Sequence, residues 1–365
     1  MSYPLQLGLL ALALSLALHY VALTLFPHLR LLDRPGKYNL QRPPLPYPTG
    51  IASVIAFLLF FFFTQELHLQ SIGLILAITL LTLTSFIDDR RGVPPLLRLG
   101  IQVLLAFTIF ATGTRIYTIT NPWGGIISLD TMDLPYQFSI FHFQFSISNG
   151  PLPLWSGVFT IVWILLTTNA FNWFDGIPGQ VSILSVIGSL TLGFLALSSR
   201  VNQPEIAVLA FILAGCALGG AFFDFPFTLS LSKGPRVVMG DTGAMFFGLL
   251  LGTLSIYAGG KVATAFLVLG VPLIDAFFVL LRRLIRGESP FSGNLDHLHH
   301  RLLKKGWTER QVILLTVILG SAFGLTALFL NTFQKFLAIL SLLLLVTVLT
   351  WYSRPGSGPL VGRQQ

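Results

Sequence analysis

Val158-Phe-Thr-Ile-Val-Trp-Ile-Leu-Leu-Thr-Thr-Asn169-Ala-Phe-Asn172-Trp-Phe-Asp175-Gly176-Ile-Pro-Gly179 is an apolar run with no charge until near its end. With the residues just before it, the run reaches the roughly 20 apolar residues that a transmembrane helix needs. Its end reads differently. Asn169, Asn172 and Asp175 lie three apart, and Gly176, Pro178 and Gly179 then break the helix. If the helix continues to Asp175, the three polar side chains share one face. Helix-end capping accounts for one such residue. Three oxygen-bearing side chains at a broken end predict a ligand or cation site, and their oxygens suit a hard ion such as magnesium.

The same pattern extends through the chain. Of 365 residues 54% are apolar and 10% charged, with a mean hydropathy of +0.79. Soluble domains carry about a quarter charged residues, so a soluble enzyme is excluded. One Cys and 32 Phe exclude a disulfide scaffold and a disordered chain. The expected fold is an all-α polytopic membrane protein with about 11 transmembrane helices, a single domain over 1–365. The spans are Leu5 to Phe26 and about 50–64, 71–87, 98–113, 153–170, 181–198, 205–222, 243–259, 262–281, 311–330 and 334–352. Alternate gaps (27–49, 88–98, 170–180, 223–241, 282–310 and the tail) hold eighteen of the Lys and Arg residues. The others hold only Arg115, Arg200, Lys261 and Lys335. By the positive-inside rule the rich side is cytoplasmic, the N-terminus outside and the C-terminus inside. Topology and anionic lipid explain the net charge of +8, so no nucleic acid is called for. The long outer gap 114–152 contains a period-two stretch, Gln137 to Ile147, that predicts a short hairpin.

Three more polar features fall in the cytoplasmic set. Asp88-Asp89-Arg90-Arg91 closes the third span. Adjacent acids stay ionised only beside a cation, and Arg90, Arg91 or a metal is expected to supply it. Gly240-Asp241-Thr242-Gly243 opens a span, with Asp241 or Thr242 as its expected N-cap; an acid at a helix start makes a seat for a metal-bound phosphate. Asp296-His297-Leu298-His299-His300-Arg301 is a cationic cluster suited to a diphosphate, and positions 299 and 300 are expected to point apart on a helix. Zinc fits less well, with no Cys among the candidate ligands. Together these features describe one inner-face site for a metal-bound diphosphate and a phosphate reached from the bilayer.

In this order and spacing the motifs resemble the polyprenyl-phosphate N-acetylhexosamine-1-phosphate transferase family (glycosyltransferase family 4). The resemblance covers roughly 27–306 and is strongest to the undecaprenyl-phosphate N-acetylglucosamine-1-phosphate transferase subgroup. It rests on Asp88-Asp89, on Asn169 to Gly179, on Gly240 to Gly243, and on Arg282-Arg283, Gly287 to Phe291, Asp296 and His297-Leu298-His299-His300. The resemblance implies transfer of N-acetylglucosamine 1-phosphate from a UDP-sugar to undecaprenyl phosphate, releasing UMP and priming a cell-surface polysaccharide. It implies magnesium or manganese, a cytoplasmic-face site in the cell inner membrane, and catalytic loops at about 27–49, 88–98, 169–180, 223–243 and 282–310. Carried over, Asn172 and Asp241 are similar to the metal-binding positions. Asp88 resembles the residue that orients or deprotonates the lipid phosphate, with Asp89 supporting it and Asp175 near the nucleotide or metal. His297, His299, His300 and Arg301 resemble the diphosphate-facing group, and Asn169 and Asp296 are taken with the substrate contacts. The family's usual His is absent near Asn39 to Arg42, which leaves Lys37 or Arg42 for the phosphate contact. Pro178 stands where many relatives have Asp. Members pair in the membrane, so a homodimer is compatible with the resemblance. Other readings are the same reaction with another UDP-N-acetylhexosamine or UDP-MurNAc-pentapeptide, and a membrane transporter or lipid flippase.

Overall fold

The computed structural model describes residues 2–35, 43–130, 152–225, 235–258, 262–289 and 296–353, with two-residue strands at 133–134, 139–140 and 143–144. The chain is a helical bundle: α1 (Tyr3–His28), α2 (Gly50–Thr64), α3 (Leu69–Arg91), α4 (Pro95–Ala111), α5 (Leu154–Phe174), α6 (Gln180–Leu197), α7 (Pro204–Asp224), α8 (Gly240–Tyr257), α9 (Val262–Val268), α10 (Gly270–Ile285), α11 (Leu298–Lys304), α12 (Glu309–Phe329) and α13 (Thr332–Tyr352). Among the described residues, seven helices are long and apolar enough to cross a membrane, or eight with α9 and α10 taken as one broken span. The protein is a multi-pass membrane protein.

Length and hydropathy do not by themselves reach the expected eleven spans. Helices α2 and α4 are apolar but short, and the expected 262–281 span is two helices meeting at 85°. Beyond the bend, α10 buries Asp275 and Ile274 and leaves Phe277, Leu281, Leu284 and Ile285 exposed. Helix α8 is buried along nearly its whole length, the pattern of a helix apolar all round at the centre of a bundle. Helix α13 buries only Leu342 and Val346 and presents its other faces to the surroundings.

Local sequence explains several boundaries. Pro95 starts α4 directly after Gly92-Val93-Pro94, folding α4 back against α3. Helices α12 and α13 open with capping boxes, Thr308 with Gln311 and Asn331 with Gln334. In the 114–152 gap Ser139–Ile140 pairs antiparallel with Phe143–Gln144, the hairpin that the alternation predicts. Thr118–Thr120 pairs with Ile126–Ser128 in the same gap.

Candidate active site

Helix α5 ends at Phe174, so Asn169 and Asn172 lie in its last turns and Asp175 is the first residue past it. The break spans Gly176 to Gly179, and α6 begins at Gln180. Asn169 donates to Gln102 Oε1 on α4 at 2.9 Å, which ties the end of α5 to the neighbouring helix. Asn172 keeps a buried amide nitrogen without a hydrogen-bond partner. The carboxyl of Asp175 is raised well above the usual carboxylate range, first by burial and then by the charges of Asp224, Asp241 and Asp89.

The cation between the acids is Arg98, which the sequence reading missed. Its Nη1 donates to Asp88 Oδ2 at 2.6 Å and to Asp241 Oδ2 at 3.2 Å. Arg98 lies in the first turn of α4, and the tight α3–α4 turn brings it back to the end of α3. Asp88 Oδ1 closes that turn by accepting from Val93 N at 2.6 Å. Arg90, one of the cations expected for the acidic pair, donates instead to the Arg30 carbonyl. The usable signal was the Gly92-Val93-Pro94-Pro95 turn, which reverses the chain between Asp88 and Arg98.

Asp89 is occupied differently from its neighbour. It accepts from the amides of Asp241 and Thr242 at 3.0 and 3.1 Å, from Thr242 Oγ1 at 2.7 Å and from the Tyr47 hydroxyl. The expected N-cap at Asp241 or Thr242 is therefore corrected. Helix α8 starts at Gly240, both residues lie in its first turn, and the cap is Asp89 from another helix. Gly240 has φ +79°, and a Cβ there would stand 2.6 Å from Pro48 and 2.9 Å from Asp89. Only glycine lets the chain turn in so close to the capping acid.

Two further acids cap helices the same way, and neither was singled out from sequence. Asp224, ending α7, accepts from Gly179 N at 2.9 Å and Ser182 Oγ at 2.8 Å at the start of α6. Asp275 in α10 accepts from Leu298 N at 2.9 Å at the start of α11, and its other oxygen meets His297 Nδ1 at 2.8 Å. Since α11 begins there, the imidazoles are delivered to the broken end of α5. His297 packs on Trp173, and His299 meets the edge of Phe174. A Cβ on Gly176 would stand 1.9 Å from His299 Nε2, so the ring rests directly on the break.

The rings of His299 and His300 do not point apart; their centroids are 4.1 Å from each other. Burial, then the neighbouring His300 and His297, hold His299 well below the ordinary imidazole range. Burial, with His297 and Lys304, lowers His300 to about 4. Asp296 is the most exposed acid of the group and faces Arg286 at 3.7 Å. Arg301 is buried and donates to the Thr350 carbonyl of α13 at 2.7 Å. Lys37 and Arg42 lie outside the described residues.

Among the described residues no group of three His, Cys, Asp or Glu is arranged to hold a metal. The charges of Asp241 and Asp89 reach the buried Asp175 carboxyl, and the unpartnered atom of Asn172 is its amide nitrogen, a donor, which leaves the amide oxygen as the atom that could meet a hard cation.

A family model described as "Glycosyl transferase family 4" matches residues 71–259, from α3 through α8, taking in Asp88, Asp175 and Asp241. A Bacillus subtilis (strain 168) protein named as a probable undecaprenyl-phosphate N-acetylglucosaminyl 1-phosphate transferase is 27% identical over 268 residues, covering 72% of this chain and 66% of the relative. The chain thus spans just under two thirds of that relative's length. A decaprenyl-phosphate N-acetylglucosaminephosphotransferase of Mycobacterium leprae is 26% identical, covering 77% and 72%. An undecaprenyl-phosphate alpha-N-acetylglucosaminyl 1-phosphate transferase of Escherichia coli (strain K12) is 26% identical, covering 79% and 73%.

Proposed function

Because the chain belongs to glycosyl transferase family 4, we propose that it transfers N-acetylglucosamine 1-phosphate from UDP-N-acetylglucosamine to a polyprenyl phosphate such as undecaprenyl phosphate. An oxygen of the lipid phosphate attacks the sugar-bearing phosphorus. A new diphosphate bond forms, the old one breaks, and UMP leaves with the bridging oxygen. The relatives' names favour N-acetylglucosamine over the other UDP-sugars. The observation that carries the reading is that Asp88 and Asp241, from separate motifs, share the Arg98 guanidinium, while the His cluster rests on the break that follows Asn172 and Asp175.

Asn172 and Asp241 would hold magnesium or manganese, which neutralises diphosphate charge when bound. The chain's own residues supply position. Asp88 already holds Arg98 and the Val93 amide, so it suits orienting the lipid phosphate better than removing a proton. A lipid monophosphate is largely ionised near neutral pH and attacks directly. Asp275 meets Nδ1 of His297 and so fixes that ring's orientation, leaving Nε2 as its remaining polar atom. The charged loops are placed on the cytoplasmic side of the cell inner membrane, with the N-terminus outside. The exposed apolar side of α10 then gives a prenyl chain a place to lie beside the charged cluster.

The test is incubation of membranes containing the protein with polyprenyl phosphate and a panel of UDP-sugars, with magnesium, with manganese and with a chelator. UMP and a lipid-diphosphate sugar should form with UDP-N-acetylglucosamine and stop with the chelator. Absence of UMP with every nucleotide sugar would overturn the reading.

A further inference from the structure

His299 is 1% exposed, and neither ring nitrogen has a hydrogen-bond partner. Beside it runs a narrow cavity lined by Phe174, Gln180, Leu298, Leu302 and Thr316 among others. Gln180, the first residue of α6, is fully buried. Its Nε2 donates to Thr316 Oγ1 on α12 at 3.2 Å, and its Oε1 is left without a partner. Buried polar atoms in folded proteins are nearly always hydrogen-bonded, and Gln180 Oε1 with one ring nitrogen of His299 beside the same cavity call for a common partner. The remaining lining, Val271, Val312 and Leu315, is apolar and leaves no counter-ion for a charged guest. A small cavity edged by two or three donors and acceptors is a usual setting of an internal water.

We propose that this cavity binds one water molecule, bridging Gln180 Oε1 to a ring nitrogen of His299, and that Gln180 is thereby a positioning residue for that imidazole. Gln180 Oε1 can only accept, so the water donates one hydrogen to it. Its lone pair or second hydrogen is left for the ring, and the choice selects the tautomer. The ring is fixed by α6 and α12, helices that carry none of the motif acids. The setting of the ring stands independently of the transferase reading, and only its consequence for turnover rests on that reading.

The experiment uses the full chain in nanodiscs with 15N-labelled histidine. His299, assigned by comparison with His299→Ala, should show one hydrogen-bonded neutral tautomer. In Gln180→Leu its ring shifts should move or split between tautomers. Gln180→Met, an unbranched side chain of similar length, serves where the Leu variant fails to fold. An experimental map that resolves waters should show one within about 3.2 Å of both groups. UMP release in the variant should fall roughly ten-fold, as for loss of an outer-shell partner, with little change in KM for the nucleotide sugar. A dry cavity, or unchanged His299 shifts in both variants, overturns the proposal. Absence of UMP release from the unaltered protein would strike the transferase reading and leave the ring measurement decisive for this one.

Discussion

Arg98 is the residue on which most of the acidic site depends. With its guanidinium removed, Asp88 and Asp241 would lose their shared partner in a recessed setting, where an uncompensated charge is costly. Arg98→Gln is expected to lower UMP release by about 10- to 100-fold, roughly 1.4–2.7 kcal/mol of barrier. Arg98→Lys should recover only part, since a single ammonium lacks the planar fork. Equal turnover for all three proteins at matched levels would remove Arg98 from the site. Asp241→Asn should abolish metal-dependent turnover while leaving the melting temperature near that of the parent. A large melting shift instead would mark Asp241 as structural. The motif acids, amides and imidazoles were legible because polar groups at apolar boundaries stand out, whereas Asp224 and Asp275 were passed over. Arg98 was not legible either, because Arg90 and Arg91 lie nearer to the acids in sequence and only the α3–α4 turn shows which cation arrives.

At the scale of single helices, α6, α8 and α11 have no side-chain cap from their own N-cap residue. Asp224, Asp89 and Asp275 do that work from other helices. Loss of one cap typically costs about 1 kcal/mol, and more where the acid is buried. Asp224→Ala is therefore expected to lower thermal stability in detergent and to reduce turnover by loosening the break around Gly176. An unaltered melting curve would show that Gly179 and Ser182 do not need the carboxylate. Helix α11 also carries a pH dependence. His299 and His300 are held below the unfolded-state value of 6.5, His300 to about 4. Below 6.5 the unfolded chain binds the extra protons, so this contribution falls as pH drops from about 6.5 toward 4. Asp175 acts in the opposite sense. Its raised value favours the folded, protonated form from 3.8 upward, and that contribution is lost as pH rises toward the raised value. The two kinds of group therefore offset one another between pH 7 and 5, and His300→Gln should make the melting temperature at pH 5, relative to pH 7, higher than in the parent. An equal change in both proteins would show that His300 carries none of the pH dependence. Capping boxes at α12 and α13 could be read locally; a cap supplied from another helix has no local sequence signature.

For the whole molecule, apolar length and charge asymmetry made the membrane class and most helix positions readable. The 85° bend between α9 and α10 was missed, and its usable signal was Gly270 and Pro272 at the junction. Orientation can be tested with single cysteines, since the native Cys216 is buried. A cysteine at Asp130 should label from outside the cell, and one at Lys304 only after permeabilisation; the reverse result would invert the topology. The three borrowed caps also bear on how the protein can be studied. A peptide copied from residues 170–190 or 296–306 would lack the carboxylate that shapes it. Neither could stand in for the full chain in screening inhibitors or raising conformation-specific antibodies, and a cut between Asp275 and His297 would part the histidines from their anchor.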